Sequence, residues 1–250
     1  LRKRVIPVLL LRRKGLVKSV RFGRHNYIGD PINAVRIFNE KEVDELSVID
    51  IDASAENREP DFESIREIVS EAFMPVSYGG GVHRMDQVQR LLANGVEKVI
   101  VNTASFRNPS LITEASKTFG SQSIVVCIDH RKSIWGRQTA CMGRGKSAGN
   151  IDPVTHARRC EELGAGEVVL QSIDRDGTYS GYDLEMIRKV SSAIGIPLVA
   201  LGGASRLEDF KMALESGASA VAAGSLFVYH GSTRGVLINY PRTEELSAIF

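Results

Sequence analysis

The sequence predicts a single (β/α)8 barrel, and three observations carry that prediction: the number of apolar strand-like runs, their alternation with helical patterns, and an internal repeat. Short β-rich runs alternate with helical stretches of about ten or more residues, the pattern of βαβ units around a parallel sheet. Eight runs can be placed, at Val5–Leu10, Leu46–Asp52, Pro75–Tyr78, Lys98–Asn102, Ser123–Asp129, Glu167–Ile173, Pro197–Leu201 and Ala220–Ala223. That number of parallel strands closes a barrel. The chain of 250 residues contains no low-complexity linker, so one domain, 1–250, is expected.

Taken in order, the first run follows a basic start and leads straight into Arg12, Arg13 and Lys14. It is too short for a signal core and lacks a small-residue cleavage site, so it reads as a buried parallel strand. Three helix starts are announced by a capping residue before proline, at Asp30-Pro31, Asn108-Pro109 and Asp152-Pro153. The segment RMDQVQRLLANGVEKVIVNTASF from Arg84 is echoed by RLEDFKMALESGASAVAAGSLF from Arg206. At the same offset Asp52, Gly80, Gly81, Gly95 and Thr103 fall on Asp174, Gly202, Gly203, Gly217 and Ser225. The pattern predicts two fused half-barrels, approximately 1–121 and 122–250.

Composition narrows the function classes. No apolar run approaches the ~18 residues of a membrane span, and a net charge of +2 argues by itself for neither nucleic acid nor an anionic membrane as partner. The three cysteines, Cys127, Cys141 and Cys160, are odd in number and form no CxxC pair, which suits a reducing cytoplasm without disulfides or structural zinc. His25, His83, His130, His156 and His230 lack metal-ligand spacing, so neither a metal nor another cofactor is expected.

The repeated positions are chemical ones. Gly79-Gly80-Gly81 follows the third run and Gly202-Gly203 the seventh, where missing side chains let backbone N–H groups approach an anion. Asn102-Thr103 and Gly224-Ser225 end the fourth and eighth runs and add amide and hydroxyl donors. Two phosphate pockets at the C-terminal face are expected, with the one after strands seven and eight favoured by the fold. Arg12, Arg13, Lys14, Lys18, Arg21, Arg24 and His25 crowd the loop after the first run, as an anionic ligand would require. Asp129 ends the fifth run in SIVVCID and is the candidate acid or base. Setting RVIPVLL against SIVVCID places Leu10 opposite it, and leucine transfers no proton. Asp174 and Asp176, in SIDRDGTYSGYD, read first as a turn capping its own backbone and second as further acids. The GRGKS string at Gly143–Ser147 fails the glycine spacing of a P-loop.

The segments GDPINAVRIFNEKEVDELSVIDIDAS, SYGGGVH, VNTASFRNPSLITEASKTFGSQSIVVCID, EVVLQSIDRDGTYSGYD and LGGASRLEDF resemble the cyclase subunit of imidazole glycerol phosphate synthase over nearly the whole chain. The resemblance implies a barrel with a glutaminase subunit docked at its N-terminal face. It also implies ammonia passing through the interior, and two aspartates at the top that cyclise a bis-phosphorylated ribonucleotide. It further implies phosphate contacts from Gly81, Asn102 and Thr103 at one end and from Asp176, Gly177, Gly203, Gly224 and Ser225 at the other. Arg4, Glu45, Lys98 and Glu167 match the family's ammonia gate, and Lys18 its mobile-loop lysine. The first aspartate, in a motif like CLDVKDG, is replaced here by Leu10 of VLLLRRKG, whereas Asp129 matches the second. With AAGSLFVYHG and VLINYP, that departure resembles a paralogous branch linked to amidation of nucleotide-linked sugars for surface polysaccharide, in which ammonia passes toward a separate sugar-amidating enzyme. The expected function is therefore an ammonia-channelling barrel of a glutamine-dependent synthase, with an active cyclase as the alternative.

Overall fold

A computed structural model describes residues 3–231 and 233–250. Leu1, Arg2 and Ser232, which the predicted domain includes, lie outside the described residues, as does the side chain of Ser147. Eight parallel strands form a closed barrel: β1 (Arg4–Arg12), β2 (Leu46–Asp50), β3 (Val76–Gly79), β4 (Lys98–Val101), β5 (Ile124–Lys132), β6 (Glu167–Ser172), β7 (Leu198–Leu201) and β8 (Ala220–Ala223). Each pairs with the next, and β8 closes on β1 with Arg4 opposite Ala220 and Ile6 opposite Ala222. Helices pack outside, including Pro31–Glu40, Phe62–Glu71, Met85–Ala93, Ser110–Phe119, Pro153–Glu162, Leu184–Ser191 and Leu207–Glu215. After β8 come a two-stranded ribbon, Tyr229–His230 with Gly235–Val236, and a short helix, Thr243–Ser247.

Strand alternation creates two cores. Val5, Leu9 and Leu11 of β1 face the helices, packing with residues such as Val35, Phe38 and Phe227. Ile6 and Val8 face inward, where they meet Ile100, Val125, Val169, Val199, Leu201, Ala220 and Ala222, with Leu10, Ile49 and Cys127 packed against them. The same period that buries Ile6 and Val8 turns Leu10 into the mouth.

Most differences from the expected elements lie at strand ends. The second strand stops at Asp50 because its Oδ1 accepts from the backbone N–H groups of Asp52 and Ala53, both at 3.0 Å, folding the next residues into a turn. β1 runs on to Arg12 and β5 to Lys132 because each pairs with an antiparallel strand that the run count missed, Gly15–Lys18 and Gln138–Met142. The first of these pairs onward with Asn26–Gly29, the second with Lys146–Ser147. Asp30 and Asp152 cap their helices as expected, accepting from Asn33 N at 3.0 Å and Thr155 N at 2.9 Å. Asn108 does not repeat the device. Pro109 itself is the capping position, and Asn108 accepts from the Ser110 hydroxyl at 2.9 Å.

The two halves share contacts at the repeated offset. A Cβ on Gly80 would collide with the Asp50 carbonyl, and one on Gly202 with the Ser172 carbonyl, so neither position admits a side chain. Gln87 and Asp209 accept from the backbones of His83 and Ser205, at 2.9 and 2.7 Å, at matching helix starts.

Candidate functional site

At the N-terminal end of the barrel, strand starts bring four charges together. Arg4 pairs with Glu45 at 2.5 Å and with Glu167, and Lys98 reaches the same carboxylates at 2.9 and 3.3 Å. The result is a closed ring of alternating sign in which every charge has two partners. Burial disfavours the Arg4 cation, but Glu167 and Glu45 outweigh that and raise its pKa. Mutual neutralisation is what makes nearly buried carboxylates tolerable here.

Above the ring lies a cavity of about 160 Å³. Its lining begins at Glu45 and Glu167, continues through Ser47, Ser77, Val125, Val169 and Val199, and reaches Leu10, Cys127, Asp129 and Thr103 at the mouth. Asp129 is buried. Its carboxylate oxygens lie 3.4 Å from the Cys127 thiol and 3.4 Å from the Asn102 amide. Burial pushes its pKa up to about 7, the Cys127 hydrogen bond works against the rise, and the Asp176 charge adds to it. Lys18 is also buried, donating to the Val8 carbonyl at 2.6 Å. Burial lowers its pKa to about 8, with Asp176 opposing the drop. Asp176 is raised by burial to about 6, against the pull of Lys18 and a hydrogen bond from Gln171. Three proton-exchanging groups therefore titrate within a few units of neutrality, while the position facing Asp129 across the mouth is an isobutyl group.

The two sets of expected phosphate contacts differ in access. Gly81, Asn102 and Thr103 all line the cavity. Gly81 N donates to Ser54 Oγ at 3.0 Å, and Asn102 is anchored by donating to the carbonyls of Cys127 and Cys141 at 3.0 and 3.2 Å. Asp176, Gly177, Gly203, Gly224 and Ser225 do not line it. The loop after β1 lies over three of them: Arg21 N donates to the Asp176 carbonyl at 2.9 Å, a Cβ on Gly177 would strike Ser19, and one on Gly224 would strike the Lys18 ammonium. Gly203 packs on the Gly181 backbone, and the Ser225 carbonyl accepts from Tyr179 Oη at 3.2 Å.

The Asp-Arg-Asp-Gly string does turn, with Asp176 N donating to Ser172 O at 3.0 Å, but its carboxylates look outward from the turn. Asp174 accepts from Lys132 N at 2.7 Å and faces Arg131 at 3.6 Å, while Asp176 faces Lys18. Sequence reasoning placed Asp52 in the repeat but missed its partners: its carboxylate is fully buried between Arg12, at 3.0 Å, and Arg144. Burial opposes its charge, but the two guanidiniums hold its pKa below the ordinary range. Arg144 belongs to the string dismissed as a P-loop, and it carries the β5 hairpin across to the end of β2. His25 and Phe22, from the loop after β1, also line the mouth.

Residues 4–234 match the model of a family described as histidine biosynthesis protein. The chain is 48% identical to a Leptospira borgpetersenii protein provisionally named imidazole glycerol phosphate synthase subunit HisF, over 100% of this chain and 99% of that one. It is equally similar, 48% over 98% of both chains, to a Pseudomonas aeruginosa protein provisionally named as the hisF2 subunit of the same synthase. A Thermobifida fusca protein named imidazole glycerol phosphate synthase subunit HisF without that qualification is 42% identical over 90% of each chain.

Proposed function

We propose, from the premise that the chain belongs to the histidine biosynthesis protein family, that it is the barrel subunit of a glutamine-dependent synthase and delivers ammonia to an acceptor other than the cyclase substrate. Relatives bearing the HisF name support the general kind, a subunit that works with a glutamine amidotransferase. In this reading the glutaminase docks at the N-terminal face, where the ring of Arg4, Glu45, Lys98 and Glu167 gates entry. Ammonia is small and neutral, and the cavity above the ring is narrow and largely apolar, so the interior shields it from water and proton donors until it reaches the mouth.

The observation that carries the reading is Leu10. It lines the cavity mouth with Asp129 and packs, like Ile49 and Cys127, against the inner apolar cluster, where the family's cyclisation requires a second carboxylate. General acid–base catalysis by one positioned group contributes roughly 10²–10⁴-fold, so its absence removes most of the cyclase rate. Gly81, Asn102 and Thr103 still offer a site for one phosphate of a small-molecule ligand. The acceptor proposed is a nucleotide-linked sugar held by a separate amidating enzyme, supported by the greater similarity to the provisionally named relatives than to those named without qualification. The alternative, an active cyclase of histidine biosynthesis, draws on Asp129 at the mouth and on Lys18 buried against the Val8 carbonyl, with pKa values of about 7 and about 8.

The deciding experiment supplies purified protein with saturating ammonium at alkaline pH and the bis-phosphorylated ribonucleotide, beside a Leu10→Asp variant. No turnover by the unmodified chain is the expected result. Turnover near that of an authentic cyclase overturns the proposal and installs the alternative. Channelling is tested separately with the glutaminase bound: Lys98→Ala and Glu167→Ala together should uncouple glutamine hydrolysis from amidation, and unchanged coupling would remove the gate.

A further inference from the structure

Two long extensions rise from the C-terminal face, and their charge is unlike that of the rest of the surface. Residues 12–29 carry Arg12, Arg13, Lys14, Lys18, Arg21 and Arg24, and residues 130–150 carry Arg131, Lys132, Arg137, Arg144 and Lys146, with no Asp or Glu in either segment. These cations outnumber the chain's whole net charge of +2, so the remainder of the molecule is net acidic. Ion pairs engage only some of them: Arg12 and Arg144 on Asp52, Arg131 on Asp174, and Lys14 on Asp61 at 3.9 Å. Arg13, Arg24, Lys132, Arg137 and Lys146 make no ion pair among the described residues.

At the tip of the second extension two large apolar side chains stand in water, Ile134 at 94% and Trp135 at 88% exposure. The turn that presents them is well tied. Ser133 N donates to the Arg137 carbonyl at 2.8 Å, Gly136 N to the Ser133 carbonyl at 2.9 Å, and Arg137 N to Ser133 Oγ at 3.1 Å. Tyr27 of the first extension is also exposed.

We infer that the Ile134–Trp135 tip, flanked by Arg131, Lys132 and Arg137, anchors the chain to an anionic lipid surface. An indole prefers the headgroup boundary, an aliphatic neighbour reaches the acyl region, and flanking Lys and Arg side chains are drawn to anionic headgroups. A single-stranded nucleic acid would use the same cations and stack on Trp135, but it offers Ile134 no hydrocarbon. The net charge of +2 pointed away from a membrane because a sum hides separation of charge along the chain. The inference goes beyond the ammonia-delivery reading and does not rest on it.

Trp135 is the only tryptophan, so its emission reports on the tip alone. The whole chain is mixed with vesicles of phosphatidylcholine, and with vesicles of equal parts phosphatidylcholine and phosphatidylglycerol. Co-sedimentation and a shift of emission to shorter wavelength are expected with the anionic vesicles only, both weakened by salt. Replacing Ile134 and Trp135 together by serine should lower anionic-vesicle binding by about tenfold or more. Failure to bind anionic vesicles, binding without an emission shift, or undiminished binding by the double variant would each overturn the inference. A shift produced by oligodeoxythymidylate and not by vesicles would overturn it in favour of nucleic acid.

Discussion

At the mouth of the barrel the first half places Leu10 where the second places Asp129, while supporting contacts around them repeat. Arg12, two residues beyond Leu10, pairs with Asp52; Arg131, two residues beyond Asp129, pairs with Asp174. Asp52 and Asp174 are themselves counterparts in the repeat. The supports nevertheless differ in depth, since Asp52 is fully buried between two guanidiniums and Asp174 is half-exposed beside one. Access differs too: Gly81, Asn102 and Thr103 open into the cavity, whereas Gly224 lies beneath Lys18 of the loop after β1, and Gly203 and Ser225 lie against Gly181 and Tyr179 of the loop after β6. The comparison teaches that scaffold and chemistry are separable. The strand, the turn and the charged brace are present at both positions although one carries leucine and the other a carboxyl group.

The sharpest way to break the comparison is to make the halves alike. Leu10→Asp should raise ammonium-dependent turnover of the bis-phosphorylated ribonucleotide by about 10²-fold or more, and adding Asp129→Asn should return it to baseline. Turnover that ignores Asp129 in that background would show that the two positions do not work as a pair.

The buried carboxyl also leaves a mark on stability. Because the folded-state pKa of Asp129 is raised to about 7, the folded chain holds its proton more tightly than the unfolded chain does. Stability contributed by that group is therefore full below the unfolded pKa and is lost as pH rises through 7. Asp129→Asn should match the parent near pH 4 and gain on it toward pH 8, by up to about 4 kcal/mol. Urea midpoints across that range test this, and Leu10→Asn, on the half without a carboxyl, should show no such slope.

The braces should differ less dramatically. Arg12→Ala leaves buried Asp52 with Arg144 alone and should cost about 2 kcal/mol, whereas Arg131→Ala loosens a solvated pair and should cost under about 1 kcal/mol. Equal losses in denaturant midpoint would mean that burial of Asp52 is not what distinguishes the halves. The smallest expected effect is on the hairpin link: Arg144→Lys keeps a cation near Asp52 but loses the planar fork, and should raise amide exchange in residues 138–147 with little change in global stability.

Much of this was legible in the chain. Eight strand runs follow from patterns of short period, the repeat and the pairing of Leu10 with Asp129 from comparing distant segments, and the four charges at strand starts from the family resemblance. The hairpins after β1 and β5 were not, because their partner strands are only four and five residues long and pair with strand ends already counted as complete. Arg144 was passed over because its string was weighed against a phosphate-loop template, and nothing local says that it reaches Asp52.

The sequence by itself determined the eight-stranded barrel and the helix starts at Asp30 and Asp152, because strand alternation and helix capping are decided among residues a few positions apart. Only the tertiary structure decided that Arg4 and Lys98 each reach both Glu45 and Glu167, that Lys18 lies buried over Gly224, that Asp52 sits between Arg12 and Arg144, and that burial shifts Lys18, Asp129 and Asp176 toward neutrality. Each of those depends on which distant residues are brought together and how much water is excluded between them, and barrel closure alone sets both.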